Sequence, residues 1–124
     1  MIYLLEDDDS IRDFVIYTLN SQGMEARGFP LPSLFWQAVG EQMPALVLLD
    51  IMLPGMDGSE ILKEIRKKSN TPVIMVTARD SIHDQLLNFT NGADDYITKP
   101  YALAIVKVHI EAILKRAGKQ KERV

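Results

Sequence analysis

The sequence predicts an α/β fold in which helices cover both faces of a five-stranded parallel sheet. Short runs rich in Ile, Val, Leu and Tyr alternate with longer segments of helical spacing. Several of the short runs are apolar throughout, which is typical of strands buried on both faces. The strand-then-helix order repeats five times, and parallel neighbours of this kind require right-handed crossovers. The 124 residues suit one compact domain.

Five apolar segments are the predicted strands. The second and the fifth in chain order carry the weaker strand patterns. The five segments are Ile2–Leu5, Glu25–Phe29, Ala45–Leu49, Pro72–Val76 and Tyr96–Thr98.

Helical spacing of apolar residues predicts five helices, around residues 11–19, 34–39, 61–65, 82–89 and 105–114. Asp9 is the predicted N-cap of the first helix, and Gly23 follows its end. Pro32 opens the second helix, where proline is tolerated in the first turn. Gly58 starts the third helix and Gly92 ends the fourth.

Composition narrows the class of protein. The chain has no cysteine, so disulfides, a thiol nucleophile and a cysteine-based zinc site are excluded. The net charge of −3 argues weakly against nucleic-acid binding by this domain itself. The longest apolar runs are far shorter than the roughly 20 residues that span a bilayer. The first residues lack a basic leader, so we expect a cytoplasmic domain with no membrane partner.

Chemically capable residues follow four of the predicted strands. Residues 6–9 are four acids after the first strand, Asp50 follows the third, Thr77 the fourth and Lys99 the fifth. In such sheets ligands bind at the carboxyl ends of the strands. Each residue alone is more simply a cap, a turn residue or a surface residue. Their coincidence at one edge of the sheet indicates a site.

The physics of that site favours phosphoryl chemistry. Clustered carboxylates repel one another, and Mg²⁺, which prefers oxygen ligands, offsets the repulsion. A carboxylate beside Mg²⁺ can act as a nucleophile towards a phosphoryl group. A lysine stabilises charge on the phosphoryl oxygens, and a threonine hydroxyl can bond one of them.

These residues lie in four motifs that resemble the CheY-like receiver domains of two-component response regulators. The resemblance runs from Met1 to about Arg116 and implies the doubly wound flavodoxin-like fold with strand order 2-1-3-4-5. The four motifs are Leu4 to Asp8, Leu48 to Gly58, Val76 to Ala78 and Gly92 to Pro100.

The resemblance implies a magnesium-dependent phosphoacceptor. By position, Asp50 accepts the phosphoryl group. Asp7 is a direct Mg²⁺ ligand, Glu6 reaches the metal through water, and the Met52 backbone carbonyl is a further ligand. The implied protein is a switch rather than an enzyme, because it promotes only its own phosphorylation and dephosphorylation.

The resemblance also implies the parts of a conformational switch. Thr77 bonds a phosphoryl oxygen, Lys99 pairs with it, and Tyr96 changes rotamer as the threonine moves. The bond between Lys99 and Pro100 is expected to be cis. The change is expected to reach the face formed by the fourth helix, fifth strand and fifth helix.

Among receivers, the sequence is most similar to the OmpR/PhoB class. That class takes its phosphoryl group from a sensor histidine kinase and usually carries a winged-helix DNA-binding domain. We therefore expect a receiver domain over residues 1–118 and the start of a linker over 119–124, with transcriptional control and DNA contact through a domain outside these residues.

The expected output face departs from the class pattern. Leu87, Ile105 and His109 stand where an arginine, a glutamate and an arginine are common, whereas Asp94 and Asp95 are retained. The usual ion-pair homodimer is therefore in question. A more apolar contact and an ordinary amphipathic helix both fit this pattern, and His109 is otherwise predicted to be a surface histidine.

Three other classes of protein share part of this pattern. A haloacid-dehalogenase-type phosphatase needs a second aspartate two residues after the first, where this chain has Met52. A flavodoxin-like electron carrier would place a phosphate loop where this chain has four acids. A stand-alone or phosphorylation-independent interaction module would have lost some of the acids, the threonine or the lysine. All are present here, and this module is the best surviving alternative.

Overall fold

The structure is a computed structural model that describes residues 1–53, 56–77, 90–98 and 103–122. Met52, Met56, Thr77, Leu103 and residues 118–122 are described by their main chain alone. The strands of the main sheet are β1 (Ile2–Leu5), β2 (Ala26–Phe29), β3 (Leu46–Leu49), β4 (Val73–Thr77) and β5 (Asp95–Thr98). The helices are α1 (Asp9–Ser21), α2 (Pro32–Glu41), α3 (Gly58–Lys68) and the C-terminal helix (Leu103–Glu122). A short antiparallel pair, Met52–Leu53 with Met56–Asp57, lies between β3 and α3.

The five strands of the main sheet are all parallel and lie in the order β2-β1-β3-β4-β5. At its carboxyl end, Leu5 of β1 pairs with Phe29 on one side and with Leu49 on the other. The predicted fold class and strand order are confirmed, and each observed strand begins within one residue of its predicted start. The helix predicted over residues 82–89 lies outside the described residues.

The sheet separates two apolar cores. Alternate strand residues point to opposite faces, as the pleat requires. One core joins strand residues to α2 and α3, and it includes Tyr3, Leu5, Phe35, Leu49, Ile61, Leu62 and Met75. The other joins strand residues to α1 and the C-terminal helix, and it includes Leu4, Val15, Leu19, Leu48, Ile74, Val106 and Ile110. Burial on both faces is why β1 and β3 are apolar throughout.

Helix α1 begins one residue earlier than the sequence suggested. Asp8 has extended backbone angles (φ −76°, ψ 116°), and its carboxylate accepts a hydrogen bond from the Ile11 N–H at 2.9 Å. Asp8 is therefore the N-cap, and the prediction that Asp9 caps this helix was wrong. Asp9 is the first helical residue, and its carboxylate pairs with Arg12 instead. At the other end Gly23 has a φ of +80°, in agreement with its predicted place after the helix.

The C-terminal helix packs on the sheet through one stripe. Val106, Ile110 and Ile113 are buried, at the spacing of one helical face. The helix continues past residue 118, where the sequence predicts the domain to end, so the boundary stays a prediction. Within the described ranges, no helix has the length and apolar character needed to cross a bilayer.

Candidate functional site

Glu6 and Asp7 stand where β1 leaves the sheet. The Glu6 N–H donates to the Phe29 carbonyl at 3.1 Å, so the backbone of Glu6 is still tied to β2. Glu6 is buried, with 3% of its surface exposed, whereas Asp7 is exposed. Asp8 then caps α1. The turn thus places one buried and one exposed carboxylate next to each other at the carboxyl end of β1.

Asp50 follows the central strand β3 and lies beside that turn. Its N–H donates to the Leu5 carbonyl at 3.2 Å, and only 6% of the residue is exposed. Because β1 and β3 are neighbours in the sheet, acids that follow them are brought to the same edge.

The three acids form one cluster. A carboxylate oxygen from each of Glu6, Asp7 and Asp50 lies within 4.8 Å of the others. Negative charges at this separation repel one another, and a divalent cation would offset that repulsion. All three donors are hard oxygens, and the exposed position of Asp7 leaves an approach from solvent. Both properties fit Mg²⁺, which keeps several waters and is usually held by one or two carboxylates.

Gly58 fixes the loop that follows Asp50. A Cβ atom at this position would lie 2.1 Å from the Asp50 carbonyl oxygen and 2.8 Å from the Ile51 Cα. The Gly58 N–H also donates to the Ile51 carbonyl at 2.7 Å. The first residue of α3 is therefore pressed against the backbone of Asp50. Sequence reasoning identified Gly58 as a helix start but missed this close approach.

The remaining predicted site residues are described in part. Thr77 ends β4 and pairs through its main chain with Thr98 of β5, so it lies at the same edge of the sheet as the acids. Met52 lies in the short antiparallel pair after Asp50. Tyr96 of β5 is half-buried against the core shared by α2 and α3. Lys99 and Pro100, with the predicted cis bond, lie outside the described residues.

Asp94, one of the predicted interface residues, makes contacts within the chain. Its carboxylate accepts hydrogen bonds from the Arg66 guanidinium and from the Val73 N–H, each at 2.8 Å. Arg66 also donates to the Gly92 carbonyl at 2.9 Å and to the Thr71 carbonyl at 2.6 Å. Asp94 thus ties α3 to the amino ends of β4 and β5.

Asp95 and His109 also contact each other within the chain. The imidazole Nδ1 of His109, on the C-terminal helix, pairs with a carboxylate oxygen of Asp95 on β5. The prediction of a surface histidine missed this pair, because it depends on how the helix lies across the strand. Ile105, on the same helix, is 49% exposed. Leu87 lies outside the described residues.

Arg12 was not singled out from the sequence, yet it reaches the acidic turn. One of its guanidinium nitrogens donates to the Glu6 carbonyl at 2.9 Å. The only available sequence signal was its position three residues after Asp9, where the two side chains lie on one side of a helix.

The response regulator receiver domain family matches residues 2–111, which is most of the chain. The chain belongs to that family. The match confirms the resemblance drawn from the four motifs.

Curated relatives agree with this assignment. The sensory transduction protein RegX3 of Mycobacterium tuberculosis strain H37Rv is 40% identical over 120 residues. The alignment covers 94% of this chain and 52% of RegX3. The chain therefore spans about half the length of the curated relatives it matches. This similarity supports the placement of the receiver near the OmpR/PhoB class.

Solved receiver domains superpose on the chain over nearly its whole length. A CheY-like receiver domain protein from Methanospirillum hungatei JF-1 has a TM-score of 0.90 at 28% identity, covering 96% of each chain. The BeF3-activated receiver domain of Klebsiella pneumoniae RstA has a TM-score of 0.86 at 30% identity, covering 91% of this chain and 97% of the other.

Proposed function

We propose that this receiver domain accepts a phosphoryl group on Asp50 in a magnesium-dependent reaction. The observation that carries the proposal is the cluster of Glu6, Asp7 and Asp50, whose carboxylate oxygens lie within 4.8 Å of one another in a chain of the receiver family. Three acids at the carboxyl end of a parallel sheet, with a threonine at the end of the next strand, form a set suited to phosphoryl transfer.

Asp50 is the acceptor in this proposal. One of its carboxylate oxygens forms a bond to phosphorus as the bond between phosphorus and the donor's leaving atom breaks. The leaving group keeps the electron pair and takes up a proton, and the product is an acyl phosphate. The tight contact between Gly58 and the Asp50 backbone supports this role, because it fixes the position from which the carboxylate attacks.

Asp7 and Asp50 would hold Mg²⁺ directly, Glu6 through water, and the Met52 carbonyl would complete the protein ligands. When bound, the cation neutralises the charge that accumulates on the phosphoryl oxygens. The residues of the chain position the ligands and keep the site accessible. Burial of Glu6 keeps its carboxylate in one place, and the exposure of Asp7 keeps the site open to a donor.

The switch is proposed to run from the acceptor to the edge of the sheet. Thr77 bonds a phosphoryl oxygen, Lys99 pairs with the same group, and Tyr96 takes a new rotamer as the threonine moves. Tyr96 is half-buried against the core, so a change of its side chain alters packing at the end of β5. The altered surface includes the C-terminal helix, which is also the proposed face for a homodimer.

The proposed partner that donates the phosphoryl group is a sensor histidine kinase. The proposed output is transcriptional control through a DNA-binding domain outside these residues, since the chain spans about half of its curated relatives. We place the receiver at residues 1–118, the start of a linker at 119–124, and the protein in the cytoplasm.

The acceptor is tested by intact-mass measurement after incubation with acetyl phosphate. We expect a phosphoryl adduct on the wild-type chain with Mg²⁺, none with a chelator, and none on Asp50→Asn. Asp57→Asn is the matched control, because Asp57 lies in the same loop and caps α3, and asparagine is also a good cap. A wild-type chain without a magnesium-dependent adduct would favour the phosphorylation-independent interaction module instead.

A further inference from the structure

Arg12 is a largely buried cation beside the acidic turn, and the proposed transfer assigns it no role. Its side chain is only 13% exposed. One guanidinium nitrogen donates to the Glu6 carbonyl at 2.9 Å, and the other pairs with the Asp9 carboxylate. The planar fork of the guanidinium therefore bridges the end of β1 and the first turn of α1.

Gly28 of the edge strand β2 leaves room for the stem of this arginine. A Cβ atom at Gly28 would lie 2.6 Å from Arg12 Cγ and 2.9 Å from its Cδ. The aliphatic stem of Arg12 thus lies against a strand position that has no side chain. Any larger residue at Gly28 has to displace the stem, and with it the guanidinium.

Arg12 completes the hydrogen bonding of the Glu6 backbone. The Glu6 N–H is bound to the Phe29 carbonyl at 3.1 Å, and the Glu6 carbonyl is bound to Arg12. With both main-chain groups held, the backbone at Glu6 has little freedom to rotate. The direction in which the Glu6 side chain leaves the backbone, and the start of Asp7, follow from the same contacts.

We propose that Arg12 is a positioning residue for the metal site. It holds the β1–α1 turn so that the carboxylates of Glu6 and Asp7 face Asp50 before Mg²⁺ arrives. The inference rests on the proposed function, because it names the residue that arranges the proposed ligands. Residues that orient metal ligands from behind commonly change metal affinity by about 10- to 100-fold when replaced.

The charge of Arg12 and its positioning role predict opposite outcomes. A nearby positive charge repels Mg²⁺, so if charge alone mattered, its removal would tighten metal binding. If Arg12 positions the turn, its removal loosens the ligands and weakens binding. The sign of the change in Mg²⁺ affinity therefore separates the two explanations.

The experiment is a Mg²⁺ titration of the full chain, in which the NMR chemical shifts of the amides of residues 6–8 report binding. We expect Arg12→Met to bind Mg²⁺ about tenfold more weakly. Arg12→Lys, which keeps the charge but not the fork, should lie between Arg12→Met and wild type. Gly28→Ala leaves Arg12 and its charge in the chain but displaces the arginine stem, so it should also weaken Mg²⁺ binding.

Arg27→Met is the matched control. It removes an exposed arginine from the neighbouring position of β2, where the guanidinium lies over the Phe29 ring at 5.3 Å. We expect its Mg²⁺ affinity to stay within about twofold of wild type, because exposed charges are screened by salt.

A second measurement separates positioning from a general loss of structure. At saturating Mg²⁺, the rate of phosphorylation of Arg12→Met by acetyl phosphate should approach that of wild type, while the half-saturating Mg²⁺ concentration rises. Equal or tighter Mg²⁺ binding by Arg12→Met would overturn the inference. If Arg12→Met does not fold, Arg12→Lys and Gly28→Ala decide the question in the same way. A wild-type chain that binds Mg²⁺ but takes no phosphoryl group would defeat the proposed function and leave the positioning role standing.

Discussion

The two ends of the sheet hold charged side chains in different ways. At the amino end, Arg66 and Asp94 form an ion pair at 2.8 Å. Arg66 also donates to carbonyls that precede β4 and β5, and Asp94 accepts from the N–H of Val73, the first residue of β4. At the carboxyl end, the carboxylates of Glu6, Asp7 and Asp50 converge, and the Arg12 guanidinium binds the Glu6 carbonyl and Asp9. Arg66 and Asp94 thus bring opposite charges together, whereas the cluster at the carboxyl end brings three like charges together.

The difference separates structural charge from functional charge. A paired cation and anion that also satisfy carbonyls and amides stabilise the fold and require no ligand. Gathered carboxylates repel one another, and a folded protein retains them where an incoming cation offsets the cost. The amino end should therefore respond to mutation independently of Mg²⁺, and the carboxyl end should not.

Gly58→Ala should give the largest effect, because the carboxyl end depends on backbone contact. The new Cβ would lie 2.1 Å from the Asp50 carbonyl oxygen, so the loop has to move. We expect urea denaturation to show a loss of about 3 kcal/mol in the free energy of unfolding, at the upper end of the effects of overpacking. Stabilisation of the fold by Mg²⁺ should also be lost.

Gly40→Ala is its control. Gly40 lies in α2 and is exposed, and a Cβ there would meet nothing within 4 Å. Alanine should stabilise this helix by about 0.5–1 kcal/mol. Equal destabilisation by the two substitutions would argue against a specific contact at Gly58.

Arg66→Met tests the amino end. Its loss removes a donor from the Thr71 and Gly92 carbonyls and from the Asp94 carboxylate, to which the Val73 N–H still donates. We expect about 2 kcal/mol of destabilisation. The cost is limited because Asp94 is partly exposed, so water can replace the hydrogen bond from Arg66. The cost should be the same in Mg²⁺ and in chelator.

Lys67→Met removes a neighbouring cation from an exposed pair with Glu64 and should cost less than about 0.5 kcal/mol. A Mg²⁺-dependent cost for Arg66→Met would mean that the two ends of the sheet are coupled, and it would contradict the separation of structural from functional charge.

Controls aside, Asp7→Asn should give the smallest effect, with the opposite sign to Gly58→Ala and Arg66→Met. In chelator it removes one of three like charges, so the free energy of unfolding should rise by about 0.5–1 kcal/mol. Mg²⁺ at ten times its dissociation constant should stabilise the wild type by about 1.4 kcal/mol and the variant by much less. Thermal unfolding with and without Mg²⁺ measures both. Destabilisation in chelator would show that the acids do not repel one another.

Sequence reasoning recovered the parts of the molecule that depend on local pattern. The central strands are apolar throughout because both faces are buried, so their positions and the edge where Asp50 meets Glu6 and Asp7 could be predicted. Pro32 and Gly23 marked helix ends because each restricts or permits particular backbone angles.

Contacts between distant elements could not be predicted in this way. Asp8 and Asp9 are equally good caps, and the choice between them depends on where the chain leaves β1 after the hydrogen bond from Glu6 to Phe29 of β2. The contact of Arg12 with Gly28 requires α1 to pack against the edge strand β2 with Arg12 directly opposite Gly28. The pairing of His109 with Asp95 likewise depends on the placement of a helix against a strand.

That last pair sets a condition on any protein that binds the surface formed by β5 and the C-terminal helix. His109 is a tethered competitor for the Asp95 carboxylate, and tethered groups act at effective concentrations of about millimolar. An incoming cation must outcompete it, and an incoming anion that seeks His109 must outcompete Asp95. A partner that relied on charge alone would therefore bind this surface weakly. A stable complex has to gain most of its affinity from the apolar residues around the pair, such as the exposed Ile105.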